Sequence, residues 1–452
     1  MSGTSRSWPS SELPSRRSRR RRSMMSDPAL RVELYGVHIG DLTHAPRGRA
    51  LFDWSNDALA RWPLRSTPLS ASLPVGTSNV DTTESFFGAL LPEGRWLDLL
   101  ANALQVRSND LIGIFGAVGA DLIGALTIGA GRVTGQPRLL EESELVQLLS
   151  QAAGYILGGG GSALPGFQRK LALTRSDGRW IAGNGTKPST HILKPVSEEN
   201  RHLVEGENYV LGVARALGLL HFDSWVDTIG QTPVLVVERY DRRITNSSIE
   251  RIHQEDLAQA LALPWGGDDK FERSNRGASL AAIASVLDRD RSIFDRTEPD
   301  REKLLRYTVL NVAAGNTDAH AKNFSLLRFN DGRSQLAPFY DAAPLALGFE
   351  APLELAMSIS GERVITRVTL DHLVDEARVW GLESSRAREV IAQTLDAVIA
   401  ATRELPAHQS ISKHVPGYIR GQAQNLAAGR PARITTPMPP ILMPRLGTPP
   451  PD

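Results

Sequence analysis

An acid, an amide and a second acid stand at spacings that suit phosphoryl transfer. The stretch Gly315-Asn316-Thr317-Asp318-Ala319-His320-Ala321-Lys322-Asn323-Phe324 places a carboxylate at Asp318 and an amide at Asn323, and Phe339-Tyr340-Asp341 adds the second carboxylate. One carboxylate can hold a nucleophilic hydroxyl. An amide oxygen and a carboxylate can ligate Mg²⁺ on ATP. Lys322 can neutralise charge on a transferred phosphoryl group. His320 reads as a structural hydrogen-bonding residue or as a second base. The plain alternative for Asp318 with Asn323 is a polar turn after a helix. A metal-hydrolase set of His320, Asp318 and Asp341 is another, although no His-x-x-x-His spacing or paired-carboxylate cluster accompanies it.

Such a trio needs upstream elements to hold phosphates and a nucleobase. Residues 158–170 run Gly-Gly-Gly-Gly-Ser-Ala-Leu-Pro-Gly-Phe-Gln-Arg-Lys. Backbone N–H groups of such a turn can cradle phosphate, and a flexible connector is the bland reading. No Gly-Lys-Ser/Thr follows, so it is not a Walker loop. Lys194 ends the apolar run His191-Ile192-Leu193-Lys194. A strand lysine of this kind contacts ATP phosphates when a helix glutamate holds it. Glu207 is the natural partner and Glu205 the near alternative; a solvated edge lysine is the competing reading. Glu238 and Tyr240 end the strand 234–242, where a hinge would offer backbone groups to adenine, unless this is an ordinary strand-to-loop exit.

Composition bounds the rest. The chain has 452 residues, more than one simple core holds. Its 41% hydrophobic and 22% charged content is ordinary for a globular protein. A net charge of +1 leaves the body without the signature of a nucleic-acid binder. Cysteine is absent, which excludes disulfides, thiolate zinc sites and a Cys nucleophile, and fits a reducing cytoplasm. No apolar run is long enough for a membrane span, and no secretory leader is expected.

Residues 1–26 read as a disordered tail with arginines at 16, 17 and 19–22. It is either a nucleic-acid-touching arm or a solvated extension ahead of Met24 and Met25. A small α/β subdomain is expected over 27–135, with a strand from 30 to 40 that ends at a Gly-Asp turn, a helix over 96–104 and a strand over 125–128. An N-lobe-like region follows over 136–242, with helices over 141–149 and 207–219. A helical C-lobe occupies 243–428, with helices at 254–263, 279–287, 301–314, 371–380 and 385–405. Residues 429–452 form a Pro-rich tail.

Each feature is weak singly; their order is not. Gly-rich loop, strand lysine, helix glutamate, apolar strand with a polar exit, helical region, Asp-x4-Asn and a later Asp follow the linear order of a two-lobed kinase. His-Arg-Asp and Asp-Phe-Gly are both absent, so only the Asp/Asn/Asp logic is shared. The segments Thr317-Asp318-Ala319-His320-Ala321-Lys322-Asn323-Phe324-Ser325, Pro338-Phe339-Tyr340-Asp341, residues 236–242, His253-Gln254-Glu255-Asp256 and residues 86–94 resemble the HipA family of serine/threonine kinase toxins from bacterial toxin–antitoxin modules. The likeness covers residues 30–425.

That resemblance implies an α+β, protein-kinase-like two-lobe fold with an extra N-terminal subdomain and a helical C-lobe. It implies ATP and Mg²⁺ as cofactors. Asp318 resembles the catalytic base, Asn323 and Asp341 the Mg²⁺ ligands, and Lys194 the ATP-phosphate lysine. Glu238 and Tyr240 resemble the adenine hinge, with Gln254 and Tyr340 flanking the nucleotide. Gly166, Gln168 and Lys170 lie in the stretch resembling the phosphate-covering loop. The partner implied is a HipB-like helix-turn-helix antitoxin that binds operator DNA, so DNA is met only indirectly. The substrate implied is a protein of the translation machinery, such as an aminoacyl-tRNA synthetase. In the family a serine stands three residues before the glycine matching Gly166, and its phosphorylation ejects the loop. Here Ala163 holds that position, with Ser162 beside it. A weakly catalytic corepressor and a small-molecule kinase are the competing expectations.

Overall fold

The computed structural model describes residues 29–129, 135–150, 164–166, 168–245, 248–290, 299–347, 353–411 and 414–433. The Arg-rich tail, Gly158 to Gly161, Ser162, Ala163 and most of the Pro-rich tail lie outside them. The first sheet begins with β1 (Leu30–Leu34) and β2 (Val37–Ala45). The expected single strand is a hairpin. Tyr35 and Gly36 both take positive φ, 54° and 74°, which is what a two-residue turn on twisted strands needs. Gly40 and Asp41 do not turn; they pair with Trp54 and Asp53 of β3 (Arg49–Trp54). Four helices follow: α1 (Asn56–Arg61), α2 (Val80–Gly88), α3 (Arg95–Leu104) and α4 (Leu111–Val118). With β4 (Leu126–Ile128) the sheet order is β3-β2-β1-β4. The helices bury Phe86, Phe87 and Phe115 against Phe52. Phe86 and Phe87 meet edge-on at 5.0 Å.

The second sheet contains β5 (Arg138–Leu139), then, after α5 (Glu142–Ser150), β6 (Leu171–Ser176), β7 (Arg179–Ala182) and β8 (His191–Pro195). Helix α6 (Arg201–Ala216) leads to β9 (Ser224–Ile229) and β10 (Thr232–Glu238). The order is β5-β7-β6-β8-β10-β9, and α6 packs on β9 and β10. The helix starts six residues before its expected first residue, so Glu207 sits in its second turn. β10 ends at Glu238 rather than running to Arg242. The chain turns there, with the Arg242 N–H donating to the Arg239 carbonyl at 3.1 Å. The short pair β11 (Arg242–Ile244) and β12 (Ile249–Arg251) follows.

A further correction concerns Gln254. The expected helix over 254–263 is β13 (His253–Asp256) followed by the single-turn helix α7 (Leu257–Ala260). β13 is committed to a ladder with β14 (Ser325–Arg328), where Gln254 pairs with Leu327 and Asp256 with Ser325. Asp256 then caps α7 in a capping box with Gln259. Glu255, expected at a helix N-terminus, instead meets Arg328 across the strands. β15 (Ser334–Leu336) completes this sheet, and β16 (Glu354–Ile359) with β17 (Glu362–Val364) forms a last hairpin.

Helices α8 (Leu280–Asp290), α9 (Asp300–Ala314), α10 (Leu370–Val379), α11 (Ser384–Glu404) and α12 (His414–Ala427) pack into one core. α9 stops at Gly315, whose φ of 75° is the left-handed cap geometry; a Cβ there would lie 3.0 Å from the Tyr418 ring. The sheet-bearing N-lobe and the helical C-lobe make a protein-kinase-like two-lobe α+β fold, with the N-terminal subdomain packed against both. No helix among the described residues is long and apolar enough to cross a membrane.

Candidate active site

The loop between α9 and β14 carries Asp318. Its start is tied to the helix: Asn316 donates from Nδ2 to Asn311 Oδ1 at 2.8 Å, and the Asp318 N–H donates to Asn316 Oδ1 at 3.2 Å. The Asp318 carbonyl then accepts from the His320 N–H at 2.7 Å and from Asn323 Nδ2 at 2.8 Å. That second bond orients the Asn323 amide and leaves its oxygen for another ligand. Asp318 is exposed to solvent. Desolvation and the neighbouring Asp341 charge raise its carboxyl to about 6, with Lys270 and Arg273 opposing. His320 is buried edge-on to Phe271 at 5.1 Å, and burial together with Lys270 lowers it to about 3. It is neutral at physiological pH, and its buried Nδ1 has no hydrogen-bond partner, so the expected hydrogen-bonding role is not seen.

Lys194 brings distant parts of the chain together. β8 lies between β6 and β10, with Lys194 opposite Leu235, and α6 presents Glu207. Lys194 Nζ donates to Glu207 Oε1 at 2.6 Å and to Asp341 Oδ1 at 2.5 Å. Glu205, the alternative partner, faces Arg201 and His408 instead. Burial opposes ionisation of Asp341, but Lys194 and Lys170 outweigh it and hold the carboxyl well below its ordinary range. Glu207, fully buried and beside the Asp341 charge, is pushed up against the pull of Lys194. Asp341 has a φ of 54°, a left-handed conformation that Asp tolerates and that marks functional positions.

Lys170 also joins this cluster. Its Nζ donates to the Pro165 carbonyl at 3.2 Å, next to Gly166, whose φ is 112°. Burial lowers its pKa, while Asp341 and Glu207 pull the other way. Gln168 is exposed and makes no hydrogen bond to any of these side chains.

A third group is aromatic. The Tyr240 and Tyr340 rings lie 5.6 Å apart, and Phe222 lies 5.7 Å from Tyr240. The Tyr340 hydroxyl bonds Ser325 Oγ at 2.6 Å and the Lys322 carbonyl at 2.7 Å. Gln254 is buried, and its Oε1 has no hydrogen-bond partner. Glu238 departs from expectation. Its N–H donates to the Asp223 carbonyl at 2.9 Å and its carboxylate accepts from the Asp223 N–H at 3.1 Å. The Glu238 amide is therefore spent on closing β9 to β10.

Lys322 departs further. Its ammonium bonds Glu93 and, at 3.3 Å, the Ala89 carbonyl, so it points into the N-terminal subdomain. Glu93 also takes Lys270 at 2.7 Å. Glu93, Lys270 and Arg273 are the residues that sequence reasoning missed. The only signal was that Glu93 lies in the segment 86–94 already marked by resemblance.

The donors at Asn323 and Asp341 are oxygens, the set that suits a hard divalent cation. Among the described residues no three His, Cys, Asp or Glu side chains gather as a metal site. The orphaned oxygen of Gln254, which pairs with Leu327 in the ladder, fits a nucleobase amine as donor.

Known proteins place the chain. Residues 30–129 match the family described as the HipA N-terminal domain, and residues 162–402 match the HipA-like C-terminal domain. A putative kinase of Sinorhizobium fredii is 31% identical over 393 residues, covering 83% of this chain and 91% of that protein. The serine/threonine-protein kinase toxin HipA of Shewanella oneidensis is 28% identical over 351 residues, covering 72% and 78%. A solved complex of HipA, HipB and operator DNA from Shewanella oneidensis contains a chain that matches with a TM-score of 0.71 at 23% identity, over 88% of this chain and 96% of that one. The HipA-like C-terminal match alone spans more than half of the chain, and the matches together show that the chain belongs to the HipA family.

Proposed function

We propose that the protein is an ATP- and Mg²⁺-dependent serine/threonine protein kinase, acting in the cytoplasm as the toxin of a HipA/HipB-type pair. The observation that carries this is the meeting of Lys194 with Glu207 and Asp341, 13 and 147 residues away, beside the Asp318–Asn323 loop. Bound MgATP supplies the phosphoryl group and neutralises its charge. The chain's own residues do the positioning. Asp318, with a carboxyl near 6, is ionised at neutral pH and basic enough to orient and deprotonate a substrate hydroxyl. Lys194, fixed by Glu207, presents one cation to phosphate oxygens, and Lys170 a second. Asn323 Oδ1 and Asp341 would hold the metal. Tyr240, Tyr340 and Gln254 would receive the nucleobase. The labour divides among 27–135, the N-lobe 136–242 and the C-lobe 243–428.

A HipB-like helix-turn-helix antitoxin is the proposed partner, through which the protein meets DNA, and a protein of the translation machinery is the proposed substrate. These readings rest on family membership and on the relatives' names. The test is Mg²⁺-dependent transfer of labelled phosphate to lysate proteins, followed by mapping of phosphopeptides. Wild-type protein is expected to label Ser or Thr. Asp318→Asn is expected to lose about 10³-fold in rate while binding ATP within roughly threefold of wild type. Wild-type transfer by Asp318→Asn would remove the base assignment. Label found only in small molecules would remove the protein-kinase reading.

A further inference from the structure

The end of α2 and the start of α3 belong to the N-terminal subdomain, yet they reach both loops of the active site. Glu93 is 3% exposed and binds two lysines from different loops, Lys322 of the Asp318–Asn323 loop and Lys270. The Ala89 carbonyl takes a further bond from Lys322 at 3.3 Å. The backbone of the same turn faces the other lobe. The Glu93 N–H donates to the Gly166 carbonyl at 3.2 Å, and Pro92 pairs with Gly166 as an isolated parallel bridge. Three residues on, the Arg169 guanidinium lies over the Trp96 ring at 5.4 Å. One short segment thus grips the loop that covers phosphate and the loop that carries the base.

We propose that residues 89–96 are a positioning clamp for phosphoryl transfer: Glu93 fixes Lys322 on the base-bearing loop, and Pro92, Glu93 and Trp96 hold Gly166 and Arg169 over the site. This rests on the kinase reading above. A lysine is a point charge on a flexible stem, so its place is set by what it binds. Glu93 sets it from outside either lobe. Phosphoryl transfer is mostly positioning, and a displacement of about 1 Å in such a site costs on the order of 10²-fold in rate. The N-terminal subdomain is then a working part of the catalytic apparatus. Glu93 and Trp96 act through Lys322 and Arg169 and are positioning residues.

Three full-length variants test this: Glu93→Gln, Glu93→Gln with Lys270→Gln, and Trp96→Ala. The readouts are kcat and KM for ATP, thermal melting, and the rate of tryptic nicking after Arg169 and Lys170. Glu93→Gln leaves two lysines against a neutral amide and is expected to melt early. The double variant relieves that repulsion and should melt near wild type. Both should lose about 30-fold or more in kcat, with KM for ATP changed by less than about threefold. Trp96→Ala should be nicked at least about tenfold faster, because the freed loop samples open states. Recovery of kcat along with melting temperature in the double variant would reduce Glu93 to a structural ion pair and overturn the clamp. Unchanged nicking in Trp96→Ala would overturn it equally. If the wild-type protein transfers no phosphate, the kinase reading falls, and the clamp is decided by the nicking rates alone.

Discussion

Lys194 is one cation between two carboxylates, and that arithmetic sets what its removal does. Its side chain and that of Glu207 are each 8% exposed. Lys194→Met keeps the apolar stem and removes the charge that binds both carboxylates, leaving Lys170 as the cation that still acts on Glu207 and Asp341. Breaking a buried pair on one side costs about 3–5 kcal/mol, so the variant should melt well below wild type. It should also bind a fluorescent ATP analogue at least about tenfold more weakly, since a phosphate-facing charge is gone. Lys194→Met with Glu207→Gln separates the two effects: stability should largely return and affinity should not. Nucleotide affinity at the wild-type level in either variant would show that Lys194 does not face phosphate. The pairing of Lys194 with Glu207 was legible in the sequence, because a strand lysine followed by a helix glutamate already implies it. Glu93 was not. It meets Lys270 and Lys322 across 177 and 229 residues, and nothing local in the short connection between α2 and α3 announces a partner at that distance.

At the scale of elements, the errors share a cause: periodicity reports a side-chain pattern, while ladder pairing decides the backbone. His253-Gln254-Glu255-Asp256 has polar residues that a helix start would welcome, yet β14 was waiting to pair with it. The run from Leu30 alternates across Tyr35–Gly36 as though unbroken, and only the positive φ of both residues makes the hairpin. The exit of β10 is the most consequential case. Arg239, Asp241 and Arg242 were read as a strand becoming charged, and they are instead a buried ionic junction. Arg242 reaches Asp121 of the N-terminal subdomain at 3.1 Å, and Asp241 accepts the Gly124 N–H at 2.7 Å. Burial opposes the Asp121 charge, but Arg239, Arg242 and Arg251 hold its pKa down. Asp121→Asn keeps the shape and removes the charge that three arginines share. Urea unfolding should show a loss of about 3–5 kcal/mol, with the subdomain junction cleaved first in limited proteolysis. A loss under about 1 kcal/mol would place this junction with ordinary surface pairs.

At the scale of the whole molecule, stability rests on buried groups that titrate in sequence, some of them at the junctions between the three parts. His253 of β13 donates from Nε2 to the Leu69 carbonyl of the N-terminal subdomain at 2.7 Å. Burial lowers it to about 4, the Leu69 bond and Asp241 pull upward, and Arg328 pushes down. His191 in the N-lobe is lowered to about 4 by burial and by Arg175. An exposed histidine titrates near 6.5, so the unfolded chain binds these protons first. Their stabilisation is therefore complete above about pH 6.5 and is lost as pH falls toward 4. Glu93 titrates lower. Burial opposes its charge, but Lys322 and Lys270 bring it to about 2. Its contribution is complete above about 4.5 and lost between there and about 2. Acid should accordingly weaken the assembly in two stages, histidines first and the Glu93 lysine cluster second. Each fully buried histidine is worth roughly 3 kcal/mol of this slope. Urea midpoints measured from pH 7.5 to 4 should fall steadily, and His253→Gln should flatten that fall, because glutamine can still donate to Leu69 and has no proton to gain. An unchanged slope in His253→Gln would mean that the junction is already open in the protein that titrates.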